Sequence, residues 1–182
     1  MTLDEAQAEA SQIARSLQGI KLRGDLRSRV AFACFAIAQQ HHAAILTLLA
    51  NSPPLHATAF ALLRLLVEAT LRGQWISHCA TDEDVKCFVS GDKQQLAMSS
   101  LVRALEKQLG DLNVHEVLYK KIWSVLSAYT HTYEHQILHW LNGNDVSSDY
   151  SPEQVQWLIS TASPLLKLCE VSVRGLSIGA EP

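Results

Sequence analysis

The sequence predicts an all-α helical bundle, and three observations carry that expectation. Apolar residues recur at three-four spacing along most of the chain, the breaks between these stretches fall on cap and turn residues, and alternating strand patterns are nearly absent. The expected architecture has four to five long helices and two or three short ones with up-and-down connections, forming one domain over residues 1–182.

Leu3, Ala6, Ala10, Ile13 and Leu17 place one apolar stripe on a first helix of about four turns. Gly19 and Gly24 bracket a connector, and Asp25 is the expected N-cap of a long helix that Asn51-Ser-Pro-Pro54 stops. Proline is tolerated in a first turn, so Pro53-Pro54 is expected to open the third helix, which runs to about Ala80. Thr81-Asp-Glu-Asp84 has capping-box spacing for a short helix that Gly91-Asp92 ends. A further helix is expected over Lys93–Leu109 with Gly110 at C′. Asn113 then caps a long one ending at Asn142-Gly143. Ser151-Pro-Glu-Gln154 starts the last helix, in which Pro164 is expected to introduce a kink.

Composition bounds the function. Apolar residues make up 48% of the chain and charged residues 18%, below the usual quarter. So much apolar surface exceeds what a monomer needs to bury, and a homodimer is the expected assembly. A net charge of −3 provides no basic footprint, which argues against a general DNA binder. Cys34, Cys79, Cys87 and Cys169 form no C-x-x-C pair and are expected to be small buried hydrophobes. That usage, with an N-terminus lacking a basic-then-apolar leader pattern, points to the cytoplasm. Between Val30 and Leu63 there is no Asp, Glu, Lys or Arg. Gln39-Gln-His-His42 lies at the middle of one apolar run, and Arg64, Glu68 and Arg72 interrupt the next, so buried helices are expected and not membrane spans.

Two constellations carry chemistry. In the third helix the formal charges are Arg64, Glu68 and Arg72, spaced four apart and followed by Trp75. Such a strip is either a solvated ladder of i,i+4 ion pairs or an anion-binding strip beside the small Ala57 and Ala61. On the helix expected over 114–141, His131, His135 and His139 repeat at i+4, opposite an apolar face that includes Leu126 and Tyr129. They form either a solvated stripe or one wall of a polar cleft. Two histidines at i,i+4 can chelate a metal, and a mononuclear site would take His41, His42 or His56 as its third ligand. The metal assignment stays open. A di-iron bundle is excluded, because no Glu has His three residues later. No nucleophile elbow, P-loop or G-x-G-x-x-G is present, so neither a serine hydrolase nor a nucleotide cofactor is expected.

The run Ala61-Leu-Leu-Arg-Leu-Leu-Val-Glu-Ala-Thr-Leu-Arg-Gly-Gln-Trp75 and the later Leu126-Ser-Ala-Tyr-Thr-His131 resemble the paired signatures of an uncharacterised bacterial all-helical family, A-x-x-L-x-R-x-x-x-E-x-x-x-R-G-x-W and L-S-x-Y-T-H. The resemblance covers about Ser28 to Leu141. It implies Arg64, Glu68, Arg72, Ser127 and His131 as catalytic candidates and Trp75 and Tyr129 as binding candidates, to which the histidine repeat adds His135. More loosely, the architecture is similar to the HEPN superfamily of helical dimers in toxin and phage-defence systems, many of them metal-independent ribonucleases with an Arg-x(4–6)-His motif. No arginine precedes His131 at that spacing, so Arg64 from another helix would have to take its place. The resemblance thus implies action on RNA without a cofactor. A non-catalytic protein-binding or scaffold role is the alternative.

Overall fold

The computed structural model describes residues 1–92, 96–110, 123–131, 134–142 and 144–179, with the backbone alone at 134, 135 and 142. Among the described residues the helices are α1 Leu3–Leu17, α2 Leu26–Ala50, α3 His56–His78, α4 Asp82–Ser90, α5 Met98–Leu109, α6 Trp123–Thr130, α7 Glu134–Leu138 and α8 Pro152–Gly175. A two-residue hairpin, β1 Leu141–Asn142 and β2 Asp145–Val146, is the sole sheet among them. The fold is all-α.

Local chemistry sets most helix starts. Thr2, Thr81 and Ser151 form capping boxes with Glu5, Asp84 and Gln154, and Asp25 accepts from the Ser28 amide. Gly91 and Gly110 adopt positive φ after α4 and α5, where a side chain would be strained. Arg27 donates to the carbonyls of Ile76 and Ala80 at the end of α3 and to Asp82 Oδ1 at 2.7 Å. One side chain thereby satisfies terminal carbonyls and ties α2 to the α3–α4 corner.

Several boundaries differ from expectation. The third helix begins at His56, because a residue before proline is kept out of the α region and Pro53 precedes Pro54. Lys93 lies outside the described residues, and α5 begins at Met98. Residues 113–122 of the expected long helix also lie outside them. Its later part is not continuous: α6 ends at Thr130, α7 is five residues, and the hairpin follows.

Arg27 near Ile76 and Leu55 near Leu48 show that α2 and α3 run antiparallel. Thr70 with Cys169 and Gln74 with Ser172 show that α8 runs parallel to α3. Up-and-down order therefore holds for α1 to α3, and α8 runs alongside α3 in the same direction. The core gathers Phe35, Ile45, Phe60, Leu63, Leu66, Leu126 and Leu158, all fully buried. Gly73 allows the closest approach: a Cβ there would lie 2.8 Å from Phe35 Cδ1 and Cζ and closer still to Cε1. The glycine of the Arg72-Gly-Gln-Trp75 signature is thus required by the α2–α3 seam.

Candidate functional site

A step of four residues on an α-helix overshoots one turn by about 40°. The Arg64/Glu68/Arg72 ladder therefore turns by about 80° along its length, and its two ends face different neighbours. Arg64 faces α6. Its Nη1 lies 3.3 Å from His131 Nε2, and its Cζ sits 4.8 Å from the Trp123 ring centroid. The indole face holds a guanidinium by cation–π attraction and limits its rotamers. Arginine has no acceptor, so a hydrogen bond in this pair requires a neutral His131 with its proton on Nδ1. His131 occupies the turn directly after α6, where its amide still donates to the Ser127 carbonyl. Beyond the break, the Gln136 side-chain amide donates to the Tyr129 carbonyl at the end of α6.

Glu68 and Arg72 face α2. Arg72 donates through Nε (3.1 Å) and Nη2 (2.8 Å) to the same oxygen, Oε1, of Glu68. Both side chains line a groove of about 670 Å³ between α2, α3 and α4 that also holds Cys34 and His41. Burial pushes the Cys34 thiol above its usual pKa, with Arg72 pulling the other way. Burial likewise raises Cys169, to about 11. Both thiols stay protonated at neutral pH, as buried hydrophobes and not nucleophiles.

The remaining candidates separate from these two clusters. The Ser127 hydroxyl donates to the Trp123 carbonyl at 2.8 Å, a bond internal to α6. Tyr129 is buried, packs 4.7 Å from the Phe60 ring, and has its hydroxyl pKa raised by burial. Trp75 is half-buried against the core, and its carbonyl accepts from the amides of Cys79 and Ala80. His135 belongs to α7, and its side chain lies outside the described residues.

The expected stripe of His131, His135 and His139 on one helix is corrected, because that helix ends before His131. His139 lies beyond α7, stacks on Tyr150 at 4.4 Å and has Nδ1 3.0 Å from the Asp149 carbonyl. The three proposed third ligands also scatter: His41 lines the groove, His42 is buried, and His56 lies against Tyr150 at 5.2 Å. Among the described residues no three His, Cys, Asp or Glu side chains converge on a metal position.

Two features escape sequence reading. An aromatic cluster joins Phe60 to Tyr129, Tyr150 and Trp157 across α3, α6 and α8. The groove takes Phe88 and Val89 from α4, whose sequence signals were only its cap and the Gly91-Asp92 stop.

A family model described as a family of unknown function, DUF6988, matches residues 35–180. The chain belongs to the DUF6988 family. That span includes Arg64, Glu68, Arg72, Trp75, Ser127, Tyr129 and His131. No curated protein and no solved structure matches the chain.

Proposed function

We propose that this DUF6988 protein acts on RNA through Arg64 and His131, as a toxin- or defence-type protein of the HEPN-like kind. The observation that carries the reading is the 3.3 Å approach of Arg64 Nη1 to His131 Nε2. These residues are 67 positions apart in sequence. An arginine on an independent helix within reach of the histidine supports this reading. In this chemistry Arg64 turns from His131 Nε2 to the phosphate, neutral His131 takes the proton of a ribose 2′-hydroxyl at the freed nitrogen, and the 2′-oxygen attacks phosphorus as the bond to the 5′-oxygen breaks. The leaving 5′-oxygen takes a proton from the imidazolium. Arg64 stabilises the charge that develops on the phosphoryl oxygens. A chain of net charge −3 gains little from counterion release, so a short single-stranded segment is the fitting substrate.

A homodimer is part of this proposal, as is a cytoplasmic location. Helix α2 is long and apolar enough to cross a membrane by length and composition; it packs against α1, α3, α4 and α8, with 39% of its apolar window buried. The alternative is a non-catalytic binding or scaffold protein. It is favoured by the Glu68–Arg72 pair, in which the two charges satisfy one another.

The test is cleavage of single-stranded RNA by purified protein, beside bacterial growth on induction, with His131→Ala and Arg64→Ala at equal soluble levels. Cleavage and growth arrest with wild type alone support the reading. Equal cleavage by both variants overturns the mechanism, and no cleavage with normal growth in all three favours the binding role.

A further inference from the structure

The groove between α2, α3 and α4 is a different place from the Arg64–His131 pair, since neither residue lines it. Its floor and walls are mainly apolar. Val30, Ile37, Leu65, Phe88 and Val89 are among them, and Ile37 and Val89 remain 48% and 59% exposed. Its volume, about 670 Å³, is that of a small-molecule site, for which an apolar lining with a few convergent polar groups is the usual composition.

The polar groups are not evenly spread. Arg29, Glu68 and Arg72 are the formal charges in the lining, a local balance of two positive against one negative in a chain of net −3. Glu68 is engaged by Arg72. Arg29 is exposed, and among the described residues its side chain has no ion-pair partner. Along α2 the lining runs from Leu26 to His41, fifteen residues or about 22 Å. Arg29 lies one turn in from the start of this run, after Leu26. Ile37 lies nearer its end, and desolvation keeps His41 below the usual histidine pKa, hence neutral at pH 7. The unpaired cation therefore lies toward one end, the Glu68 and Arg72 charges offset one another, and the rest of the lining is uncharged and mostly apolar.

We infer that this groove binds an amphipathic monoanion of the fatty-acid class, its carboxylate at Arg29 and its chain along Val30, Ile37 and Leu65. A long-chain ammonium has the wrong charge for the Arg29 end, and a short carboxylate lacks the surface to fill the rest.

Calorimetric titration and thermal shift of the full chain with dodecanoate test this, with dodecyltrimethylammonium and acetate as controls. Dodecanoate alone should bind and raise the melting temperature. Arg29→Ala should weaken binding about tenfold, and Ala33→Trp, which fills the groove from the exposed side of α2, should abolish it without loss of helicity. Equal binding of the ammonium would overturn the proposal, as would dodecanoate binding that survives Ala33→Trp. No dodecanoate binding by wild type would overturn it too. In that last case, light scattering of wild type beside Ile37→Glu shows whether a second copy of the chain covers the face instead.

Discussion

Helix α3 turns two unlike surfaces to its neighbours. Toward α2 it is a close seam, with Gly73 against Phe35 and a charge pair, Glu68–Arg72, closed on itself. Toward α6 it offers Arg64, stacked on Trp123 and within hydrogen-bond reach of a histidine from a turn. The same four-residue repeat supplies both, because each step drifts about 40° around the helix. An i+4 charge ladder therefore does not specify one site. Its first member can serve chemistry while the other two serve packing. Substitutions on the two sides should accordingly fail in different assays.

The largest effect is expected on the α6 side. His131→Ala should lower RNA cleavage by roughly 100-fold or more, the usual contribution of a positioned general base. The melting temperature should stay close to wild type, because His131 is an exposed turn residue. Arg64→Lys should restore little of what Arg64→Ala loses, since a lysine cannot keep the planar stacking on Trp123. A variant that loses cleavage only by unfolding would erase the contrast between the two surfaces.

On the α2 side the large effect is one of stability and pH. His42 is buried, and among the described residues neither ring nitrogen has a hydrogen-bond partner. Desolvation lowers its pKa from 6.5 to about 4, with Glu9 acting weakly in the opposite sense. Between those values the unfolded chain binds the extra proton and the folded chain does not, so acid favours unfolding. Stability should be fully present near pH 7 and fall by about 3 kcal/mol as pH drops from 6.5 toward 4. Urea midpoints measured across that window should show this limb, and His42→Leu should flatten it. Persistence of the limb in His42→Leu would move its origin to another group.

Gly73→Ala comes next. Its methyl group would enter the Phe35 ring, and overpacking of this kind costs about 1–3 kcal/mol. Denaturant midpoints should show the loss, and Gly73→Ala with Phe35→Leu should recover part of it. No recovery would mean that the strain lies in the α3 backbone and not in the α2–α3 contact.

These particular residues also show what can be read from a sequence. Asp25, Thr81 and Ser151 announce their helices because a cap is a local bond between neighbours three residues apart. The break at His131 is not legible, because the apolar repeat continues past it. What ends the helix includes the Gln136 side chain on the Tyr129 carbonyl and the hairpin that returns the chain to the Asp149–His139 bond. The approach of Arg64 to His131 was foreshadowed by two motifs occurring together, not by any spacing. The groove was invisible, since Phe88 and Val89 join it only after α4 folds back over α2.

The smallest predicted effect tests whether the Glu68–Arg72 pair is structural. With side-chain exposures of 30% and 17%, the pair is partly screened by water and is not a dry buried bridge. Removing Glu68 leaves Arg72 in a groove with solvent access, so Glu68→Ala should cost about 1 kcal/mol and not the several expected of a sealed ion pair. The denaturant slope should be unchanged. Glu68→Gln keeps one acceptor for Arg72 and should cost less than the alanine variant. A loss above about 3 kcal/mol would mean that the groove is effectively dry, with something covering it in solution. RNA cleavage should hold near wild type in both variants. If it fell as far as in His131→Ala, the two ends of the ladder would belong to one site, and the division of α3 into a packing surface and a reactive one would have to be abandoned.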